Sequence, residues 1–399
     1  MKKRIVNLYL VIVFLFNLGH SFFFATYVVF LVSKGLDLFQ VSLINCFFMA
    51  GVFFLEMPTG AFADLMGRKR TFVISCFIYS LSMFIYYFSE TFWIFVLAES
   101  IASLASALHS GSFEAWIVDS LKYYGFDENE DIDEVFRKGN QIKPFGIIIG
   151  SLIGGYIGIN NLALPWLFSS ISMAFVGIFA YLTMKEEYVL KKTREFKITD
   201  MFSDIKQIII ESIHYGIKKR SVFYIICFNV IFMFIIQSLN MYWQIMFKNF
   251  GLNTDKLSWI FIGIAGFTSL GSYLSKWFRS ISRNEKEAIV LSQLITVIGI
   301  LIASQCNMVM LILYSFLFHE IGRGMFQPLS QSYINKRIPS KQRATILSFD
   351  SMITKGGAVF GLIIGGWLAK NYSISTSWFV SGIVLLIAIP IFFKMENGE

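Results

Sequence analysis

Two apolar runs, Gln40 to Phe62 and Thr71 to Phe88, follow each other with only a handful of polar residues between them. Each is long enough to cross a bilayer as a helix. A water-soluble domain has no means of hiding two such runs joined by so short a loop, so the pair predicts a helical hairpin through a membrane. The alternation continues to the end of the chain. It predicts twelve spans, roughly 5–33, 39–63, 71–89, 92–121, 141–160 and 163–184, then 222–249, 255–279, 288–305, 308–335, 343–369 and 373–394. Hydrophobic residues at 56%, aromatics at 17% and charges at 15% are not the composition of a soluble domain.

The charge pattern sets an orientation. A net charge of +8 sits between the apolar runs, not in a stripe or a tail, which points to the membrane surface and away from nucleic acid. Loops at Ser89-Glu90-Thr91, Asn160-Asn161 and Gln305-Cys306-Asn307 carry no cation. Those on the other side hold Lys276, Arg279, Arg283 and Lys286, or Lys336, Arg337, Lys341 and Arg343. The positive-inside rule then places both termini in the cytoplasm of a multi-pass protein of the cell inner (plasma) membrane. Lys2-Lys3-Arg4 begins like a signal peptide, but the apolar run after it lacks a small-residue cleavage site and reads as a retained first span. Trp93, Trp166, Trp259 and Trp378 each open an even-numbered span, as an aromatic belt at the outer face predicts. Cys46, Cys76, Cys227 and Cys306 fall inside apolar runs without paired spacing, so no zinc site, other metal or disulfide framework is expected. No phosphate-binding loop of the G-x-x-x-x-G-K-[ST] kind occurs, and no cofactor is expected.

Residues 185–220 break the apolar pattern, and Met201–Ile213 within them is amphipathic at helical spacing. The organisation expected is an N-terminal six-helix bundle over 1–184, a cytoplasmic linker with an amphipathic helix over 185–220, and a C-terminal six-helix bundle over 221–399. The acidic run Asp127–Glu134 reads as a solvated loop. The halves repeat. A shift of 211 lays Gly60 on Gly271, Asp64 on Ser275 and Gly154-Gly155 on Gly365-Gly366, and a shift of 213 lays Gly111 on Gly324.

The loop after the second span reads Gly60-Ala-Phe-Ala-Asp64-Leu-Met-Gly67-Arg68-Lys69-Arg70. Gly67 supplies the positive φ that so tight a reversal needs. The spacing resembles G-x-x-x-D-[RK]-x-G-[RK]-[RK], the signature between spans 2 and 3 of the major facilitator superfamily. Leu65 stands where that family usually has a cation. The preceding Glu56-Met-Pro58-Thr59-Gly60 resembles the E-x-P-T-G lead-in of one bacterial branch. The resemblance covers the whole chain. It implies an all-α membrane protein of twelve transmembrane helices in two pseudo-symmetric six-helix bundles. It also implies a gating motif at Gly60, Asp64, Gly67, Arg68 and Lys69, with Asp64 facing the start of span 11 near Arg343.

Ionisable residues inside spans cost roughly 2.5–3.5 kcal/mol each at the helix centre, so each needs a reason. Span 4 aligns Glu99, Ser103, Ser106, Ser110 and Glu114 on one face, and span 10 aligns Glu320, Arg323, Gln327 and Gln331. Span 7 offers Gln237, Asn240 and Gln244; span 1 offers Asn17, His20 and Tyr27. Spans 1, 4, 7 and 10 line the central cavity in the superfamily, which makes these residues the substrate-cavity candidates. Glu320 and Arg323 stand three apart and also suit a mutually neutralising pair. Glu56 and Glu114, with Asp350 next, are the proton-coupling candidates, against a rival reading as structural ion pairs. Gly146, Gly150, Gly154 and Gly158 in span 5 form a close-packing stripe that also resembles the fifth-span motif of exporters, without its glycine-proline pair.

The function expected is secondary active transport by alternating access, not enzymatic catalysis. Within it, a proton-coupled exporter of small amphiphilic or drug-like molecules is favoured over a proton- or ion-coupled uptake permease for a small polar solute. A membrane-embedded enzyme would need clustered histidines, and His20, His109, His214 and His319 are dispersed. A non-transporting receptor is the remaining alternative. The partners expected are the lipid bilayer, a small-molecule substrate, and protons or another coupling ion, with the protein acting as a monomer.

Overall fold

The computed structural model describes residues 2–125, 130–186, 220–338 and 343–394. Among them every regular element is a helix. Span 1 is Lys2–His20 and Tyr27–Ser33, span 2 Leu38–Met66, span 3 Arg68–Phe88, span 4 Phe92–Tyr123, span 5 Glu130–Ile157 and span 6 Leu164–Thr183. Span 7 is Arg220–Asn249, span 8 Thr254–Ile281, span 9 Glu285–Gln305, span 10 Val309–Arg337 and span 11 Arg343–Asn371. Span 12 is Ile374–Ala388, continued as a tighter 3-10 turn over Ile389–Lys394. Eleven of these are long and apolar enough to cross a membrane; the glycine-rich span 5 is the exception. The linker expected over 185–220 lies outside the described residues except at its two ends.

Three expectations change. The first span is broken: between His20 and Tyr27 the backbone bonds shorten to turns, with Phe24 N on Ser21 O and Thr26 N on Phe23 O. No proline or glycine causes this. Ser21 Oγ instead donates to Leu18 O (3.1 Å), and Thr26 Oγ1 to Phe23 O (3.3 Å), so short hydroxyls take over carbonyls of the helical ladder. Second, the acidic run is helical from Glu130 onward, as the first turns of span 5. Glu134 bonds Lys138 one turn on (2.6 Å), and that hydrogen bond and charge, with Arg137 nearby, hold its carboxyl below the usual range. Third, only Trp93 and Trp259 suit an exposed belt. Trp166 and Trp378 are fully buried. Trp166 lies flat between Tyr86 (4.0 Å) and Phe23 (4.2 Å), while Trp378 stacks on Phe316 and donates from Nε1 to Ser238 O (3.1 Å). A buried indole gains packing area and a satisfied N–H only where a partner carbonyl is in reach, which Trp378 has.

The chain packs as two compact units, one of 1–36, 47–201 and 252–261, the other of 37–46, 202–251 and 262–399. In the first, span 5 lies on span 1 through its glycines. A Cβ added at Gly146 would stand 2.7 Å from Phe14 O, at Gly150 2.3 Å from Leu18 O, and at Gly154 1.7 Å from Phe22 O. Bare backbone is therefore what lets the broken part of span 1 sit this close. In the second unit span 11 lies on span 7 in the same way, with Gly357 against Val230 O (2.5 Å) and Gly361 against Phe234 O (2.1 Å). The repeat seen in sequence thus does one job twice. A Cβ added at Gly111 would stand 3.3 Å from Gly60 Cα in one unit, and one at its counterpart Gly324 2.0 Å from Thr268 O in the other. Ser258 seats against Gly155 and donates to Ser151 O, and Ser42 seats against Gly366 and bonds the Tyr242 hydroxyl.

Candidate functional site

The loop after span 2 turns at Gly67, which adopts φ +92° as its role requires. Arg68, first residue of span 3, reaches back to Asp64 and across to Asp119 of span 4 (3.5 Å), and donates from Nη1 to Gly111 O (3.2 Å). Glu186 accepts from the exposed N–H groups of Arg68 (2.7 Å) and Lys69 (3.3 Å), capping the start of span 3 with a carboxylate. Lys69 lies over the Tyr181 ring. Leu65, at the usual cation position, is exposed. Gly60 contributes through its backbone, since a Cβ added there meets nothing within 4 Å. Sequence spacing singled out neither Asp119 nor Glu186: Asp119 falls off the polar face of span 4, and Glu186 lies in a loop with no motif. The side chain of Arg343, the proposed partner of Asp64, lies outside what is described.

In the second unit the cavity candidates of spans 7 and 10 come together. Arg323 Nη1 donates to Asn240 Oδ1 (2.8 Å) and to Glu320 Oε1 (3.1 Å). Thr268 of span 8 donates to Glu320 Oε2 (2.8 Å), and His319 Nε2 lies 3.5 Å from Glu320 Oε1. Glu320 is 1% exposed, so this carboxylate is held by a cation and a hydroxyl, as a buried charge requires. Arg323 keeps partial exposure at 28% of its side chain. Gln237 and Gln244 are buried, and Gln327 is exposed. Asp350 of span 11 accepts two bonds from Asn229 Nδ2 (3.1 and 3.2 Å), and Ser330 donates to Asn229 Oδ1 (3.0 Å). Asp350 thereby finds its partner on span 7.

In the first unit the candidates spread. Asn17 turns back on its own helix, donating to Val13 O (2.7 Å). His20 and His109 sit in a group of rings: Phe16 stacks on His109 (4.2 Å), and Tyr79 lies 4.9 Å from His20. Ser110, Glu114 and Glu56 are exposed, and Ser110 bonds its own helix at Ala107 O. Glu99, read from sequence only as part of a polar face, proves the most enclosed acid among the described residues of this unit at 8% exposure. The Tyr86 hydroxyl donates to its Oε2, and Tyr27 bonds it from the second helix of span 1.

A model of the Major Facilitator Superfamily matches residues 223–398. The MFS-type transporter YxaM of Bacillus subtilis (strain 168) is 26% identical over 386 residues, 94% of this chain and 92% of that protein. The chain is thus similar to transporters of the major facilitator superfamily along nearly its whole length. The tetracycline resistance protein, class H, of Pasteurella multocida is 22% identical over 333 residues, 79% of this chain and 76% of that protein. The crystal structure of the nucleoside transporter NupG superposes with a TM-score of 0.79 at 16% identity, covering 99% of this chain and all of that one. By that similarity the chain has the all-α fold of two pseudo-symmetric six-helix bundles and is a multi-pass membrane transporter for small molecules, not an enzyme.

Proposed function

We propose that this transporter exports small amphiphilic, drug-like molecules in exchange for protons. The observation that carries this reading is the group of flat rings around His20 and His109, which joins Phe16, Phe72, Tyr79 and Phe113 on spans 1, 3 and 4. Aromatic rings recognise flat apolar molecules without demanding one hydrogen-bond pattern, and these four, buried in the conformation described, would meet a substrate only in a state that parts spans 1, 3 and 4. Similarity to a tetracycline resistance protein agrees with it. In cells lacking their own pumps, expression should lower the accumulation of a fluorescent lipophilic dye and of tetracycline severalfold. A protonophore should abolish the difference. Unchanged accumulation of both compounds would count against export.

The second reading, uptake of a small polar solute, is favoured by the Asn240–Arg323–Glu320–Thr268 array, which offers directional hydrogen bonds. It predicts faster entry of labelled nucleosides, sugars or amino acids into the same cells, with no effect on the dye.

Coupling is tested separately. Glu56→Gln and Glu114→Gln remove a titratable proton while keeping shape. At least one should abolish transport against a gradient while sparing dye exchange across proteoliposomes. Normal gradient-driven rates in both would move the assignment to Asp350. In the gating motif, Asp64→Asn should cut transport steeply and leave binding of the dye intact, because the charge contact at this position weakens by roughly 0.3–2 kcal/mol.

A further inference from the structure

Glu99 is an acid the gating motif and the ring group leave unused, and its surroundings are specific. It lies in the first half of span 4, and 92% of its surface is covered by protein. The groups facing it are phenols: Tyr86 of span 3, Tyr27 of span 1, and more distantly Tyr79 of span 3. Trp166 of span 6 covers Tyr86 ring on ring (4.0 Å, 5° between planes), and its buried Nε1 has no hydrogen-bond partner. Among the described residues no lysine, arginine or histidine forms an ion pair with Glu99. Glu320 in the other unit shows the contrast, since it is also buried but held by Arg323 and Thr268.

A buried carboxylate without a cation has one inexpensive way to lose its charge, which is to take up a proton. Two phenolic donors suit the ionised form, because a carboxylate offers acceptor sites on both oxygens. A protonated acid offers its carbonyl oxygen as the good acceptor and turns its O–H outward as a donor. One phenol then loses its partner. Tyr27 is the one placed to respond, for it sits at the start of the short helix Tyr27–Ser33, just past the break in span 1, and meets Trp166 only at a tilt (5.7 Å). Tyr86 is pinned under Trp166.

We propose that Glu99 is a proton-binding site of the transport cycle, reading its protonation state out through Tyr27 to the detached helix of span 1. The proton forms an O–H bond on the Glu99 carboxyl when taken from water and is returned to water when that bond breaks, with no other reactant. The proposal rests on the proton-driven reading of transport, but its first test does not use transport.

Infrared difference spectra of the purified protein in lipid, recorded between mildly acid and mildly alkaline pH, should contain a protonated-carboxyl band that is lost as pH rises. That band should be absent in Glu99→Gln, displaced but present in Glu99→Asp, and unaffected in Glu320→Gln. Tyr86→Phe should change the pH at which it is lost. A Glu99 band that persists over the whole range marks a permanently neutral structural acid, and no such band marks a permanent carboxylate; either outcome overturns the proposal. Should Glu99→Gln fail to fold, Glu99→Asp and Tyr86→Phe still assign the band, and the idea fails if neither moves it. With dye-loaded proteoliposomes, Glu99→Gln is expected to lose gradient-driven flux and keep exchange. Wild-type vesicles that move no dye at all would sink the exporter reading, while the infrared result would still decide Glu99.

Discussion

Gly154→Ala should remove most of the folded protein from the membrane. The added Cβ would lie 1.7 Å from Phe22 O, 2.5 Å from its carbonyl carbon and 2.8 Å from its Cα. Overpacking a core commonly costs about 1–3 kcal/mol, because side chains rotate aside. Here the obstacle is backbone, so spans 1 and 5 must move apart and the Gly146 and Gly150 contacts go with them. The effect is expected at or above the top of that range. Cys46 and Cys76 are buried in the folded state, so a thiol-reactive dye reports unfolding with temperature. Gly361→Ala, 2.1 Å from Phe234 O in the other unit, should behave alike. Gly60→Ala and Gly356→Ala are the controls, since a Cβ at either meets nothing within 4 Å. If Gly154→Ala melted together with these controls, the close approach of spans 1 and 5 would be wrong.

Arg323→Ala is the second large effect. It leaves Glu320, 1% exposed, with the Thr268 hydroxyl and a histidine nitrogen in place of a cation. Removing one partner of a buried pair costs roughly 3–5 kcal/mol, chiefly for the charge left behind. The same dye assay should show a fall in unfolding temperature comparable with that of Gly154→Ala. The double variant Glu320→Gln/Arg323→Ala removes the stranded charge and should recover much of the loss. Equal stability of the single and double variants would mean that Arg323 does not neutralise Glu320.

The helical hairpins, the number of spans and the family were all legible in the sequence, for a physical reason. A bilayer obliges each span to satisfy its backbone locally and to present apolar side chains, so length and hydropathy mark all but the glycine-rich span 5. The turn at Gly67 was legible too, because so tight a reversal needs a residue tolerant of φ +92°. Even the repeat could be read, since glycines recur where two helices of each unit cross closely. Gly60 with Gly111 and Gly271 with Gly324 mark the same crossing twice.

What the sequence left open depends on partners far along the chain. Trp166 and Trp378 stand where belt tryptophans stand, and only packing against Tyr86 and Phe316 makes them core. The break in span 1 carries no proline or glycine of its own; it is matched by glycines more than a hundred positions away, at Gly150 and Gly154. Glu320 and Glu99 look alike as acids in apolar runs. Their difference lies in their partners, a guanidinium one turn along the same helix and a hydroxyl from span 8 for Glu320, and two phenols from spans 1 and 3 for Glu99. Sequence determined which segments enter the membrane and where the chain turns, because those follow from local transfer energies and backbone sterics. The Glu320–Arg323 pair could be read from their spacing on one helix, but only tertiary structure decided that Glu99 meets phenols and no cation, because that depends on distances between helices, which no spacing along one helix encodes.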